Sequence, residues 1–234
     1  MLEYISMVTS TLVLASASPR RRELLALGGW AFTLQAADAV EIPLAGESPA
    51  DFVRRMSETK ARLAALIRNP NSEARNELVI GADTVVTIDG EILGKPANPQ
   101  IAAEMLMHLR GRVHEVLTGL SVADIAAGII YTDLARSSVP MRAYSAAEIA
   151  AYVATGDPLD KAGAYAIQHP DFHPVDVTHF AACFANVMGL PLCHLLRRLR
   201  RLGLEALTDL PAACQHFIPY HCPVFETILK EEIE

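Results

Sequence analysis

Three consecutive arginines at residues 20–22 belong to the stretch of the chain that is most informative about chemistry. They follow an apolar run, Leu12–Leu14, that predicts a buried strand, and a favourable helix start in which Ser18 is the N-cap and Pro19 the first helical residue. The free N–H groups and the dipole of a helix start attract phosphate, and guanidinium groups add paired donors. The pattern predicts an anion site with at least one arginine facing a cleft. A merely solvated helix start is the alternative.

Lys60 is a second candidate, because it lies inside the apolar stripe of a helix predicted over residues 49–67. Ser48 and Asp51 form a capping box at the start of that helix, and Asn69-Pro70-Asn71 is predicted to end it in a turn. An unpaired buried ammonium group is costly, so Lys60 must either extend to solvent or meet an anion. Arginines already occupy the polar positions of this helix, so a lysine in the stripe is not needed for solubility.

Asp83 presents the complementary pattern, since it interrupts an apolar strand predicted over residues 78–88. Its carboxylate needs a metal, a cation or several N–H donors. Gly81 predicts a β-bulge that would aim Asp83 into a cleft, and a purely structural aspartate in a bulge is the alternative. Glu41, in the loop before Ser48, is a second carboxylate in a region of few charges.

Further polar groups follow later in the chain. Lys95 lies in a constrained Gly-Lys-Pro turn, and residues 157–168 gather charged side chains beside glycine. Gln168 is predicted to end a short apolar strand. Its amide offers both a donor and an acceptor, which is what recognition of a pyrimidine edge requires.

Apolar strands alternate with helices along the chain, which predicts an α/β fold. The remaining predicted elements are a hairpin turn at Asp89-Gly90, strands over 113–123 and 128–144, and helices over 99–109, 145–156 and 191–202. Four arginines, at 197, 198, 200 and 201, are interpreted as the solvated face of the last of these helices. Residues 1–202 are predicted to form one domain, and 203–234 a C-terminal extension. A short acidic helix over 225–234 could pack on the body or on a second subunit.

The composition of 234 residues, 51% hydrophobic and 20% charged, is sufficient for one domain or two closely packed lobes. The net charge of −7 argues against a general nucleic-acid binder. No apolar run is long enough to span a membrane, and residues 1–10 carry an acid where a secretory signal would be basic, so a cytoplasmic protein is expected. The four cysteines are interpreted as thiols. A zinc site at Cys214, His216, His221 and Cys222 is an alternative, although this spacing fits no common zinc module.

Several motifs, taken in order over about residues 12–202, resemble the Maf family of nucleotide pyrophosphatases. They are Ser16-Ala-Ser-Pro-Arg20-Arg21, Lys60-Ala61, Gly81-Ala-Asp83-Thr84-Val-Val86, Gly94-Lys95-Pro96, Asp160-Lys161-Ala-Gly-Ala-Tyr165-Ala-Ile-Gln168 and Asn186-Val-Met-Gly-Leu-Pro191. Several motifs in the right order are far more specific than any one of them alone.

The resemblance implies a mixed, twisted sheet with flanking helices and a deep cleft between two lobes, similar to the inosine triphosphate pyrophosphatases. It implies hydrolysis of a nucleoside triphosphate to the monophosphate and pyrophosphate, dependent on Mg²⁺ or Mn²⁺, by water attack at the α-phosphorus. Asp83 matches the proposed proton acceptor and, with Glu41, would hold the metal. The implied substrate-binding residues are Ser16, Arg20, Arg21, Lys60, Thr84, Lys95, Lys161 and Gln168.

Arg20, Thr84 and Gln168 match positions linked to substrate choice, and together they resemble the branch that acts on dTTP and UTP. CTP and modified pyrimidine nucleotides are further candidates. Two segments near these positions, His169-Pro170 and Cys183-Phe-Ala185, depart from the family pattern. Two other functions stay open: a pyrophosphatase for a 7-methyl-GTP-like nucleotide, and a nucleotide-binding regulator of septum formation with little hydrolysis. The sequence does not decide the oligomeric state, for which a homodimer is one candidate.

Overall fold

A computed structural model of the protein describes residues 11–67 and 77–232. Two sequence-based predictions fall outside the described residues. One is the interpretation of residues 1–10 as lacking a secretory signal, and the other is the turn at 69–71 that would end the helix carrying Lys60.

A mixed sheet of six strands lies at the centre of the described residues. The strands are β1 (Thr11–Leu14), β2 (Phe32–Leu34), β3 (Glu77–Ile88), β4 (Glu91–Leu93), β5 (Val113–Asp124) and β6 (Ile129–Pro140). Their order is β2-β1-β3-β5-β6, with β4 beside β3. The first strand runs parallel to β2 and β3, and the remaining pairs are antiparallel.

Helices cover both faces of this sheet. They are α1 (Pro19–Ala26), α2 (Pro49–Ile67), α3 (Pro99–Leu109), α4 (Ala146–Ala154), α5 (Phe184–Val187), α6 (Leu192–Arg201), α7 (Leu210–Phe217) and α8 (Phe225–Lys230). One face of the sheet packs on α2, and the other forms the main core with the remaining helices. The predicted mixed α/β fold is confirmed. In the described part of the chain, no helix is long and apolar enough to cross a membrane.

A gap along one edge of β3 positions the cleft. On this edge β1 pairs with β3 as far as Leu14 opposite Ile80, and β4 begins with Leu93 opposite Val86. Residues 81–85 therefore have no strand partner on this side among the described residues. Because successive side chains of a strand point to opposite faces, an opening at this edge gives access to both faces of β3.

The bulge predicted at Gly81 is wrong, because residues 78–87 of β3 pair one-to-one with residues 124–115 of β5. A different constraint explains the glycine. A Cβ at Gly81 would lie 2.2 Å from the carbonyl oxygen of Ser57 and 2.8 Å from the nitrogen of Ala61, both on α2. The helix thus crosses the sheet at a distance that only glycine permits, and this close approach brings Lys60 to β3.

We expect Gly81→Ala to lower the free energy of unfolding by about 3 kcal/mol, because the added methyl group must push α2 away from the sheet. Chemical denaturation monitored by circular dichroism measures the change. Gly94→Ala is the matched control, since a Cβ at Gly94 meets nothing within 4 Å. It should change the free energy by less than about 0.5 kcal/mol. Equal effects of the two substitutions would contradict this explanation.

The C-terminal extension packs on the body of the same chain. Leu210, Ile218 and Ile228 are buried in the main core, and α8 lies against α6. Arg197 fixes this contact, because its Nη1 donates to the carbonyl oxygen of Ile228 at 3.0 Å and to Glu231 at 2.6 Å.

The interpretation of the α6 arginines as a solvated face is wrong for two of the four. Arg197 and Arg198 are only 7% and 4% exposed. Arg198 donates to both carboxylate oxygens of Asp133, at 3.0 and 3.1 Å. The helical pattern alone could not show this, because the partner carboxylate comes from β6, 65 residues away.

The strand predicted to end at Gln168 is also wrong. Residues 157–160 and 162–164 form two short 3-10 helices, and a turn over residues 167–168 follows. The buried side chains of this segment pack into the main core, although its backbone is not one of the strands of the sheet.

Candidate active site

The start of α1 lies at the open edge of β3. The strand before it ends at Leu14, and the Ser18 side chain caps the helix by accepting from the nitrogen of Arg21 at 3.4 Å. Ser16 accepts from the nitrogen of Ser18 at 3.2 Å and so shapes the connecting loop. The arginines of α1 therefore begin at the cleft, as the sequence predicts for at least one of them.

Two adjoining chambers form the cleft. The first, which we call the polar chamber, has a volume of about 410 Å³ and is lined by Ser16, Arg20, Arg21, Asp38, Glu41, Lys60, Lys95 and Asp160, among others. The second, the side chamber, has a volume of about 150 Å³ and is lined by Thr84, Val86, Lys161, Tyr165, Ile167, Gln168, Met188 and Gly189, among others. Ser18, Arg20, Arg21, Lys95 and Asp160 border both chambers.

Arg21 lies between the two chambers and donates three hydrogen bonds. Its Nε donates to the carbonyl oxygen of Gly189 at 2.8 Å, Nη2 to Thr84 at 3.1 Å and Nη1 to Ser16 at 3.4 Å. A guanidinium has five N–H donors, so two are left for a ligand. Burial lowers the pKa of Arg21 from its ordinary value, whereas Asp83 and Glu41 act to raise it. The group nevertheless stays charged.

Lys60 binds two carboxylates in the cleft. Its Nζ donates to Oε1 of Glu41 and to Oδ1 of Asp83, each at 2.5 Å. Lys60 is 8% and Asp83 5% exposed, whereas the Glu41 side chain is 52% exposed. Of the two possibilities for this lysine, contact with an anion is the one found. Asp83 lies beneath the ammonium group, and one N–H of Lys60 is left to face the polar chamber.

The carboxylate of Glu41 is held in its charged form. Partial burial would raise its pKa, but the hydrogen bond and charge of Lys60, together with Lys95 and Arg21, lower it overall. Arg20 and Lys95 line both chambers and form no ion pair with a described residue. Lys60, Glu41 and Asp83 together carry a formal charge of −1, and Arg20 and Lys95 beside them are cations without an ion pair among the described residues.

A hydrogen-bonded chain runs from Arg21 into the protein interior. Thr84 Oγ1 lies 2.9 Å from Thr118 Oγ1, Thr118 donates to the carbonyl oxygen of Asn186 at 3.4 Å, and Asn186 Nδ2 donates to the carbonyl oxygen of Val116 at 3.1 Å. Gly189 has φ +103°, a conformation that favours glycine, and there its carbonyl oxygen accepts from Arg21. The side chains on β3 and β5 and the segment after α5 thus hold Arg21 in place.

Tyr165 forms the buried end of the side chamber. Its hydroxyl lies 2.8 Å from Nε2 of His114. Burial lowers the pKa of His114 to about 4, so the imidazole is neutral at physiological pH. This wall of the chamber is therefore uncharged, in contrast to the entrance at Arg20 and Lys95.

Comparison with known protein families shows that the Maf-like protein family matches residues 11–202. The chain belongs to the Maf family. A dTTP/UTP pyrophosphatase of Geobacter sp. (strain M21) is 45% identical over 197 residues, covering 84% of this chain and 98% of that protein. The dTTP/UTP pyrophosphatase of Geobacter metallireducens is 46% identical over 194 residues, covering 83% and 97%. That of Geobacter sulfurreducens is 43% identical over 192 residues, covering 82% and 96%.

Among solved structures, the Ham1 protein of Staphylococcus aureus superimposes with a TM-score of 0.37 at 14% identity. The match covers 57% of this Maf-family chain and 73% of that protein. A TM-score below 0.5 is too low for the two folds to be equated.

The structure brings most of the residues singled out in this Maf-family sequence into the one cleft. Those that line a chamber are Ser16, Arg20, Arg21, Glu41, Lys60, Thr84, Lys95, Lys161 and Gln168. Asp83 contacts the Nζ of Lys60, and Arg22 is exposed.

Lys161 already donates to the carbonyl oxygen of Asp157, to Asp157 Oδ1 and to Asp160 Oδ1, at 2.7, 2.8 and 2.6 Å. These contacts use all three of its N–H donors, so its role as a substrate ligand stays a prediction.

Thr118, Asn186 and the Gly189 carbonyl are site-supporting groups for which sequence reasoning gave no role. Asn186 and Gly189 belong to a motif that carried the family resemblance, and this motif was the one signal that could have found them. Thr118 lies in an apolar strand, where a single threonine is ordinary.

The carboxylates of Glu41 and Asp83 fit a hard divalent cation. Both bind the same Lys60 nitrogen, so the two bound oxygens lie within about 5 Å of each other. Each carboxylate has a second oxygen without a hydrogen-bond partner among the described residues. Mg²⁺ is commonly held by one or two carboxylates together with substrate phosphates. In the described ranges, no group of three or more His, Cys, Asp or Glu could hold a metal, including the cysteines of the zinc alternative.

Proposed function

We propose that this protein hydrolyses dTTP and UTP to the nucleoside monophosphate and pyrophosphate. The observation that carries the proposal is the Lys60 contact with both Asp83 and Glu41 at a chamber lined by Arg20, Arg21 and Lys95. The named activity of the relatives supports it, because their similarity to this chain extends over nearly their whole length.

The triphosphate would lie in the polar chamber. Arg20 and Lys95, which lack ion pairs in the described chain, would gain anionic partners. Arg21 keeps two donors for phosphate oxygens while its other bonds fix the guanidinium plane. The start of α1 adds free N–H groups. Because these groups are held before the substrate arrives, little reorganisation is required when charge develops.

We further propose that Glu41 and Asp83 hold Mg²⁺ or Mn²⁺ together with phosphate oxygens. When bound, such a cation withdraws charge from the phosphoryl oxygens and orients water. Lys60 keeps the two carboxylates close together before any cation binds. Its Nζ can then turn towards the phosphates.

Asp83 would accept a proton from the attacking water. The water oxygen forms a bond to the α-phosphorus, and the bond between that phosphorus and the bridging oxygen of the β-phosphate breaks. Pyrophosphate leaves with the electron pair, and Arg20 and Lys95 stabilise its charge. Asp83 is suited to this role because Lys60 and the unbroken pairing of β3 with β5 fix its position.

The base would occupy the side chamber, where Gln168 and Thr84 face the ligand. The Gln168 amide can pair with the exocyclic group and the ring nitrogen of a pyrimidine. We expect Gln168→Ala to change the ratio of kcat/KM between UTP and CTP by about tenfold and to lower kcat for UTP by less than about threefold. Steady-state assays with the two nucleotides measure both quantities, and an unchanged ratio would remove Gln168 from base selection.

A panel of nucleoside triphosphates assayed for pyrophosphate release with Mg²⁺ or Mn²⁺ tests the proposed function. dTTP and UTP should give the highest kcat/KM, and CTP and 7-methyl-GTP lower values. A preference for 7-methyl-GTP would assign the protein to another substrate class. Tight nucleotide binding without pyrophosphate release would identify a nucleotide-binding regulator.

The proposed setting is the cytoplasm, with free nucleotides as the partners and no nucleic acid. The cysteines among the described residues are free thiols, which persist in reducing compartments. The net charge of −7 disfavours general nucleic-acid binding. We propose no membrane association, and a homodimer as the assembly to test by light scattering.

A further inference from the structure

A third cavity, of about 440 Å³, adjoins the side chamber. Its walls are largely apolar and include Val177, Phe184, Met188, Phe217 and Ile218. We call it the tail-walled cavity, because part of its wall comes from the C-terminal extension. The reaction proposed above does not use it.

Three residues, Ile167, Gln168 and Met188, border both this cavity and the side chamber. The turn that carries Gln168 is fixed, because His169 Nδ1 accepts from the nitrogen of Phe172 at 2.9 Å. Met188 is unbranched, so it can change rotamer at low cost. The boundary between the two cavities therefore consists of the apolar side chains of Ile167 and Met188, beside the Gln168 amide that would face the base.

The extension supplies the outer wall through Phe217, Ile218 and Pro219. These residues lie beyond the family match, which ends at residue 202. They are held in place, because Ile218 is buried in the main core and its nitrogen donates to Cys214 at 2.8 Å. This chain thus adds a fixed apolar wall next to a chamber that its family segment builds.

We infer that the tail-walled cavity receives an apolar group carried on C5 of a pyrimidine nucleotide, an inference that rests on the proposed function. If Gln168 pairs with the exocyclic group at C4, the adjacent ring position is C5. A substituent there would lie beside Gln168, which borders the tail-walled cavity together with Met188. The substrate class is therefore pyrimidine nucleoside triphosphates with an apolar C5 group larger than methyl. Val177, Phe184 and Phe217 supply the apolar contacts, and Glu23, His169 and His173 are the titratable side chains that also line the cavity.

The test compares kcat/KM for UTP and for 5-propynyl-UTP. The wild-type protein should prefer 5-propynyl-UTP by about tenfold, as expected for burial of a small apolar group. Phe217→Asp and Val177→Asp, at side chains 43% and 59% exposed, each place a charge in the cavity wall without burying it. Both should reduce the preference to about twofold or less and leave kcat/KM for UTP within about twofold. Leu207→Asp is the matched control, because Leu207 is a 78% exposed apolar residue of the same extension outside the cavity.

The outcomes separate the two proposals. Loss of the preference in both wall variants but not in Leu207→Asp supports the inference. If UTP is hydrolysed but the wild-type protein shows no preference, or neither wall variant changes it, the inference is overturned and the proposed function stands. If the wild-type protein releases no pyrophosphate from UTP, the proposed function fails and the inference fails with it.

Discussion

Asp83→Asn is expected to lower kcat by about a thousandfold while the protein remains folded. Asparagine retains a side-chain oxygen that can accept from Lys60. The ion pair at 2.5 Å is therefore replaced by a hydrogen bond to a neutral amide. It cannot take a proton from water, and it removes one negative charge from the pair that would hold the cation. The loss should therefore appear in kcat, measured as pyrophosphate release at saturating UTP.

Asp133→Asn is the matched control for this substitution. Asp133 is also a buried carboxylate of the central sheet, but its partner is Arg198 rather than a residue of the cleft. Removing its charge weakens the buried ion pairs with Arg198 at 3.0 Å and with Arg197 at 3.7 Å, and should cost about 3 kcal/mol of stability. Its kcat per folded molecule should stay within about threefold of wild type. If Asp83→Asn retains the wild-type rate, Asp83 is not the proton acceptor.

Arg21→Lys is expected to reduce kcat/KM for UTP by about a hundredfold. Lysine keeps the charge but cannot donate to Gly189, Thr84 and Ser16 at once while also facing a phosphate. The loss of the planar guanidinium should free the segment around Gly189 and misplace the charge at the junction of the two chambers. Steady-state kinetics with UTP measure the effect.

The neighbouring Arg22→Lys provides the control, because Arg22 is exposed and lies on the same helix. Its kcat/KM should remain within about twofold of wild type. Because both substitutions keep the positive charge, similar losses in the two variants would mean that the hydrogen bonds of Arg21 do not set it apart from the exposed Arg22. The specific bonds of Arg21 would then carry no function.

The pairing of Lys60 with an acid was predictable from the sequence in outline. A lysine inside an apolar stripe and an aspartate inside an apolar strand each require a partner, and the two requirements are complementary. The gap along the edge of β3, which allows both Asp83 and Thr84 to contribute to one cleft, was not predictable. It depends on where β1 ends and β4 begins relative to β3, and local pattern does not fix this register.

The wrong predictions share a physical cause, because each depends on a contact between distant segments. Gly81 is required by the close approach of α2 and not by a bulge. Arg198 is buried because it pairs with Asp133 of β6. The residues before Gln168 are apolar because they pack into the main core, although their pattern is typical of a strand. The Thr84 to Thr118 contact likewise joins two ordinary threonines on adjacent strands.

The most direct test of the central claim is hydrolysis of UTP in ¹⁸O-labelled water, followed by mass spectrometry of the products. Water that is activated beside Asp83 and attacks the α-phosphorus places the label in UMP and leaves pyrophosphate unlabelled. Label in pyrophosphate, or the formation of UDP and phosphate, would contradict the account.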